Sequence, residues 1–307
     1  MGHLYRSLTL ADALMRRGHE VRFLVNDHAP SMRILNDRGH SPEIVNLAAE
    51  AGGWEAGVVG RLRARVWVND RLDTHADHVQ RVKATGVPVA TFDDRGSGAT
   101  VSDLNVAALS FEVEDKVRLE GGRVLRGVEY LVINPQIAGF RRLRTSIGSV
   151  LVTLGGSDTY GVTVKVVRLL RGRSWRVTVV LGPGFMHHRE LDEALPQGFV
   201  VKHGVPSMIE EMALHDLAIT GGGMTPFEAN AGGLPCIVVA NEYFEVPVGM
   251  ALQRMGGCLF AGHHESIDES VFRQDIPVRD MSRLAMEHIG LDGVQRVATA
   301  LEELLAQ

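Results

Sequence analysis

The sequence predicts an α/β protein built as two Rossmann-like halves that face each other across a cleft. Three observations carry this expectation. Short apolar, β-branched runs alternate with helical patterns along the chain, as in βαβ units on a parallel sheet. The alternation breaks once, over the Pro- and Gly-bearing stretch Asn134–Gly148 (NPQIAGFRRLRTSIG), and then restarts. The chain's 307 residues suit two α/β domains of ordinary size, each with its own core.

The first half is placed at 1–134, the linker at 135–148 and the second half at 149–307. The chain opens on Met1-Gly2-His3 and passes directly into a helical pattern, Leu4–Arg17, so no opening strand is evident. Leu4, Leu8, Ala11 and Met15 share one face of that helix, the spacing expected where a helix docks on a sheet, and Gly18 stops it. Strands are expected at Val21–Val25, Val66–Val68, Val87–Phe92 and Leu131–Ile133, with a helix over Thr74–Thr85. In the second half strands are expected at Ser149–Leu154, Arg176–Leu181, Phe199–Lys202, Leu217–Thr220 and Cys236–Ala240, and a last helix over Leu291–Leu305. These runs are nearly all apolar, as where helices cover both faces of a parallel sheet.

Composition removes several function classes. No apolar run approaches the ~20 residues that span a bilayer, so no stable membrane insertion is expected. Met1 to Arg17 is amphipathic and does not read as a secretion signal. The net charge is −5 and no segment concentrates Lys and Arg, which argues against a nucleic-acid partner. Cys236 and Cys258 sit in apolar surroundings without CxxC spacing and are expected as buried thiols, which points to a reducing cytoplasm. The adjacent pairs His187-His188 and His263-His264 lack HxxxH spacing, so neither a metal site nor a cofactor is expected. No phosphate loop, nucleophile elbow or early GxGxxG appears, which weakens kinase, serine hydrolase and dinucleotide oxidoreductase readings.

Ligands of open α/β sheets bind outside the carboxyl ends of the strands, so four loops are candidates. In Asp216–Glu228 (DLAITGGGMTPFE) a strand runs into Gly221, Gly222 and Gly223 and then a helix. Glycines let a diphosphate approach the backbone, helix N–H groups would face it, and Glu228 would reach ribose hydroxyls. The competing reading is a capping box of Thr225 and Glu228, which does not require three glycines. In Ser149–Asp158 (SVLVTLGGSD) a second strand meets Gly155, Gly156 and Ser157, with Asp158 either near a ligand or capping a helix. Gly2-His3-Leu4-Tyr5-Arg6 offers a histidine as general base, or only a solvated helix end. Phe92-Asp93-Asp94-Arg95 is read as loop structure, with an aspartate capping backbone and Arg95 balancing charge.

Together GHLYR, GVPVATFDD, LGGSD, DLAITGGGMTPFEANAGGLP and ANEYFE, in that order, resemble a known family at nearly full length. The family is the UDP-2,4-diacetamido-2,4,6-trideoxy-β-L-altropyranose hydrolases of pseudaminic acid biosynthesis, relatives of the GT-B glycosyltransferases. The resemblance implies a GT-B-like fold and a UDP-sugar substrate from which water displaces UDP without a metal. It implies that His3 activates the water and Asn241 assists. It also implies that Gly2 and Arg6 line the sugar side, while Gly155, Gly156, Ser157, Gly222, Gly223, Met224 and Thr225 lie near the phosphates and Glu228 holds the ribose. The chain departs from the family pattern at Val68–Asp73, where a tyrosine is expected, at Asn241-Glu242, where the pair is Asn-Gln, and at Asn134, where an arginine is expected. The expected function is therefore a nucleotide-sugar hydrolase. The alternatives are a glycosyltransferase, with Asn69–Asp73 serving another acceptor, and a binding protein without catalysis.

Overall fold

The computed structural model describes residues 2–47, 52–111 and 121–306. Every strand pairing in it is parallel. The second half is one sheet. β7 (Ser149–Thr153), β8 (Arg176–Leu181), β9 (Val200–His203), β10 (Leu217–Gly221), β11 (Cys236–Ala240) and β12 (Cys258–His263) lie in the order β12-β11-β10-β7-β8-β9. The chain thus starts in the middle, winds out one way, then returns and winds out the other way. The order reverses between β7 and β10, which opens a crevice outside their carboxyl ends. β7, β10 and β11 are buried along their whole length, which accounts for their unbroken apolar sequences.

The first half follows the same winding with an interruption. Helix α1 (Gly2–Arg16) is followed by β1 (Leu24–Val25), α2 (Ala29–Asp37) and β2 (Glu43–Ile44), and β1 and β2 form a separate two-stranded ribbon. After α3 (Glu55–Leu62) come β3 (Trp67–Asn69), α4 (Ala76–Lys83), β4 (Val89–Phe92), α5 (Gly98–Val101), β5 (Leu104–Ala107) and β6 (Arg123–Arg126), with β3 to β6 forming a four-stranded sheet in chain order. Glu43 and Val45 donate to the carbonyls of Phe23 and Val25, so Leu24 turns its own N–H and C=O away from β2. Trp67 likewise donates to Pro88, so Val68 turns its polar edge away from β4. Among the described residues neither β1 nor β3 has a strand on that side, and the expected strand Val21–Val25 is two residues long there, paired only with β2.

Three expectations need correction. Leu131–Ile133 is not a strand. It is a buried apolar segment whose backbone lies against Gly293, where a Cβ would stand 2.2 Å from the Leu131 carbonyl. β5, β6 and β12 were not expected. The last helix, α13 (Gly293–Leu305), follows the second sheet in sequence but packs its Val294, Val297, Ala298, Leu301 and Leu304 against Leu10, Ala13, Phe92, Leu104 and Val106 of the first half. That placement also turns α1, because Leu10 and Ala13 meet α13 while Met15 is 40% exposed.

The stretch 135–148 is fastened rather than free. Arg141 donates to the Ala231 carbonyl, and the buried Arg144 donates to the carbonyls of Gly232, His215 and Arg142. Burial, together with the neighbouring Arg142, lowers the Arg144 guanidinium to about 10. Cys236 and Cys258 are free, buried thiols facing each other across β11 and β12. No helix among the described residues is long and apolar enough to cross a membrane.

Candidate functional site

The N-terminus of α1 meets the carboxyl ends of β3 and β4, and there five side chains converge. His3 lies with Nδ1 2.7 Å from Asp70 Oδ1, just after β3. Arg6 grips Asp70 through Nε at 3.0 Å and through a second nitrogen, while its third nitrogen reaches Asp93, just after β4. Ser7 donates to Asp70 Oδ2 at 2.9 Å. The Arg6 side chain is 5% exposed and lies over the Phe92 ring, 5.5 Å from its centroid. Burial opposes the Asp70 charge, but Arg6 and the bond from His3 outweigh it and hold the carboxyl at about 2. Burial likewise opposes the Arg6 charge, and Asp70 and Asp93 reverse it, raising the guanidinium above its ordinary range.

An ionised carboxylate only accepts, so His3 presents Nδ1–H to Asp70. The Arg6 contact to the same nitrogen, at 3.3 Å, is longer and gives way to the 2.7 Å bond. Nε2 then carries a lone pair, and the side chain is 45% exposed. The bond to Asp70 thus fixes the orientation of a ring that is otherwise half exposed. Arg6 was expected on the sugar side. It lies beneath His3 with its nitrogens on the carboxylates of Asp70 and Asp93. Asp70 was assigned no role from sequence. The signal was present, since it follows a strand on the same sheet edge as His3.

The Asp93-Asp94-Arg95 loop is structural, as expected. Asp93 adopts φ 45° and accepts from the Leu109 amide at 2.7 Å. Asp94 accepts from the amides of Thr74 and Gly96 at 3.0 and 2.8 Å. Arg95 reaches over the Phe244 ring at 5.3 Å, and Phe111 stacks on Phe227 at 6.3 Å. Both contacts join loops of the first half to the second half, so the two carboxyl edges face each other.

Across that gap, the expected glycine turns flank the reversal point of the second sheet. Gly155 has φ +97°, with open space where a Cβ would stand. The following loop packs closely on Gly182, where a Cβ would stand 2.4 Å from the carbonyls of Gly155 and Gly156. Asp158 is the cap that was weighed: its carboxylate takes the amides of Val162 and Thr163 at 2.7 and 2.8 Å, opening α6 (Val162–Leu169). Ser157 Oγ lies 3.4 Å from Thr159 Oγ1.

In the other turn, α9 (Thr225–Ala231) begins after Met224, and Thr225 is already inside the helix. The capping box does not form. The Glu228 carboxyl has no hydrogen bond among the described residues, and burial alone raises it to about 7. Space is open beside Gly223. Gly222 differs, because its amide donates to Glu245 Oε2 at 3.3 Å and a Cβ on it would stand 2.7 Å from Glu245 Cβ. Asn241 follows β11 and faces the first glycine turn. Its amide nitrogen points to the Leu154 carbonyl at 3.4 Å, and its Oδ1 is sealed off without a partner. Glu245 also accepts from the Asn241 backbone at 2.7 Å, so one carboxylate ties both loops together.

No protein-family model matches the chain. It is 25% identical over 260 residues to the uncharacterized protein MJ1062 of Methanocaldococcus jannaschii, covering 78% of this chain and 52% of that protein. The chain thus spans about half the length of that relative. It is 23% identical over its full length to the spore coat polysaccharide biosynthesis protein SpsG of Bacillus subtilis, covering 95% of it. Among solved structures it resembles the spinosyn forosaminyltransferase SpnP, with TM-score 0.70, 15% identity and coverage of 100% and 97% of the two chains. It also resembles Acinetobacter baumannii MurG, with TM-score 0.67, 12% identity and coverage of 98% and 96%. The two halves with their parallel sheets give the chain a two-domain α/β, GT-B-like fold.

Proposed function

We propose that the chain binds a UDP-sugar in this cleft and transfers the glycosyl group to an acceptor hydroxyl. The observation that carries the reading is the His3–Asp70 pair: an exposed imidazole whose Nδ1 is fixed by a buried carboxylate. His3 Nε2 takes the acceptor proton as the hydroxyl oxygen attacks the anomeric carbon. The bond to UDP breaks, and the negative charge passes to the diphosphate. Asp70, ionised across the physiological range, stabilises the imidazolium that forms. The diphosphate would lie at the Gly223–Thr225 turn, where space is open and backbone amides face the developing charge. Glu228, near α9's first turn, is the group offered to the ribose hydroxyls. The names of the relatives support this reading, since a polysaccharide biosynthesis protein and a forosaminyltransferase are among them.

The second reading is hydrolysis, in which water replaces the acceptor at the same base. The ordered motifs GHLYR, LGGSD and GGGMTPFE favour it, with an aminodeoxy sugar as the glycosyl group. One assay separates the two. UDP release from UDP-sugars is followed with and without a pool of sugar acceptors. Transfer predicts release that depends on acceptor, and hydrolysis predicts equal release without it. Either way His3→Ala is expected to lower the rate at least about 100-fold. An unchanged rate in His3→Ala refutes both readings.

A further inference from the structure

The carboxyl end of the second sheet carries a side-chain cluster that the proposed reaction does not use. β12 ends at His263 and turns at once: His264 donates its amide to Ala240, and Ser266 donates back to the His263 carbonyl at 2.9 Å. Residues adjacent in a strand point to opposite faces, but this turn brings three consecutive side chains together. The rings of His263 and His264 lie 4.3 Å apart at 46°, and one ligand atom from each of His263, His264 and Glu265 falls within 4.8 Å of the others.

The neighbours hold these groups chiefly by stacking on their ring faces. Tyr243 stacks on His263 at 4.1 Å and 10°, and Tyr160 stacks on His264 at 4.5 Å and 16°. Stacking occupies ring faces, whereas the imidazole lone pairs lie in the ring planes. The Tyr243 hydroxyl donates to Glu265 Oε2 at 3.1 Å, and Lys165 Nζ donates to the backbone carbonyls of His264 and Glu265. His263 Nδ1 is sealed from solvent, has no hydrogen-bond partner, and lies 3.5 Å from Glu265 Oε2. A buried nitrogen facing a carboxylate with nothing between them is a costly arrangement unless something bridges the two.

We propose that His263, His264 and Glu265 bind a divalent transition metal of the zinc type, with water completing the coordination. Two imidazoles and one carboxylate are a donor set that zinc accepts, and the Tyr243 hydroxyl orients the carboxylate from outside the site. The metal would join the turn after β12 to the loop after β11 through Tyr243. The HxxxH spacing that sequence inspection seeks is absent because the turn, rather than a helix face, brings the imidazoles together.

The test is titration of the metal-stripped, tag-free 307-residue protein with ZnCl2 by calorimetry, and with Co2+ by visible absorption. One tight site is expected, with cobalt bands typical of nitrogen and oxygen ligands. His264→Ala and Glu265→Gln should each weaken it about tenfold or more, Tyr243→Phe should weaken it to a smaller degree, and His187→Ala should leave it unchanged. Glu265 is 66% exposed in its side chain, so Glu265→Gln keeps the fold and the readout. Zinc binding that survives both His264→Ala and Glu265→Gln, or no tight site in the unaltered protein, overturns the proposal.

Discussion

Asp70→Asn tests the base assembly and the fold at once. Asp70 is pulled from its ordinary 3.8 to about 2, a difference of about 1.8, which corresponds to roughly 2.5 kcal/mol of preference for the ionised form in the folded state. Its folded value is depressed, so this stability is present above pH ~4 and is lost as pH falls toward 2. By the same relation about half of it persists at pH 3 and little at pH 2. Asp70→Asn removes the ionisation and leaves the buried Arg6 with Asp93 as its remaining carboxylate. The variant should therefore be about 2–4 kcal/mol less stable than the unaltered protein at pH 7, and the gap should narrow steadily below pH 4. Urea unfolding at several pH values between 7 and 3 measures this. A gap that stays constant over that range refutes the electrostatic account of the Arg6–Asp70 pair. At pH 7 and a denaturant-free temperature where both fold, the same variant should also slow UDP release about 100-fold, because the His3 tautomer is no longer fixed.

Other perturbations probe other parts. Glu228 has its folded carboxyl raised to about 7, so ionisation destabilises the fold as pH rises from about 4.5 through 7; Glu228→Gln should gain on the order of 2 kcal/mol relative to the unaltered protein at pH 8 and nothing at pH 4, by chemical denaturation. Gly222→Ala should weaken UDP binding and lower thermal stability, since the added Cβ meets Glu245 Cβ at 2.7 Å and detaches the carboxylate that holds both loops. Leu301→Ala should cost about 2–5 kcal/mol, with hydrogen exchange rising in β4 and β5, because α13 covers the first sheet rather than the second. Unchanged exchange in β4 and β5 would contradict that packing.

The fold was legible in most of the buried strands, though β5, fully buried but interrupted by Asn105, was missed. β11 matches the expected residues because five apolar positions in a row leave little choice of structure, and β8 matches on Val177 and the run Val179–Leu181. Reading failed where burial and strand structure part company. Leu131–Ile133 is apolar because Val132 packs with α13 while Leu131 and Ile133 pack into the second half's core, not because it joins a ladder. β6 (Arg123–Arg126) is polar because it lies at a sheet edge, and its arginines gave no strand signal. The position of α13 could not be read from its own amphipathic pattern, which states that one face is buried but not against which sheet.

The site divides along the same line, between what a local motif specifies and what the fold brings together. Glycine turns at the ends of β7 and β10 are local, and both lie at the reversal point of the sheet where a ligand crevice is expected. His3 and Asp70 are 67 residues apart, and no spacing rule links them. They meet because α1 begins at the edge where β3 ends, which is a property of parallel winding. Arg6 shows the cost of reading a motif as one unit. It lies one turn after His3 on α1, and that register turns its guanidinium down between Asp70 and Asp93 while His3 stays exposed. One helix turn thus holds both the exposed imidazole and the cation that keeps its partner ionised. At Val68–Asp73, where the resemblance leads one to expect a tyrosine, this chain instead places Asp70, the carboxylate that holds both His3 and Arg6.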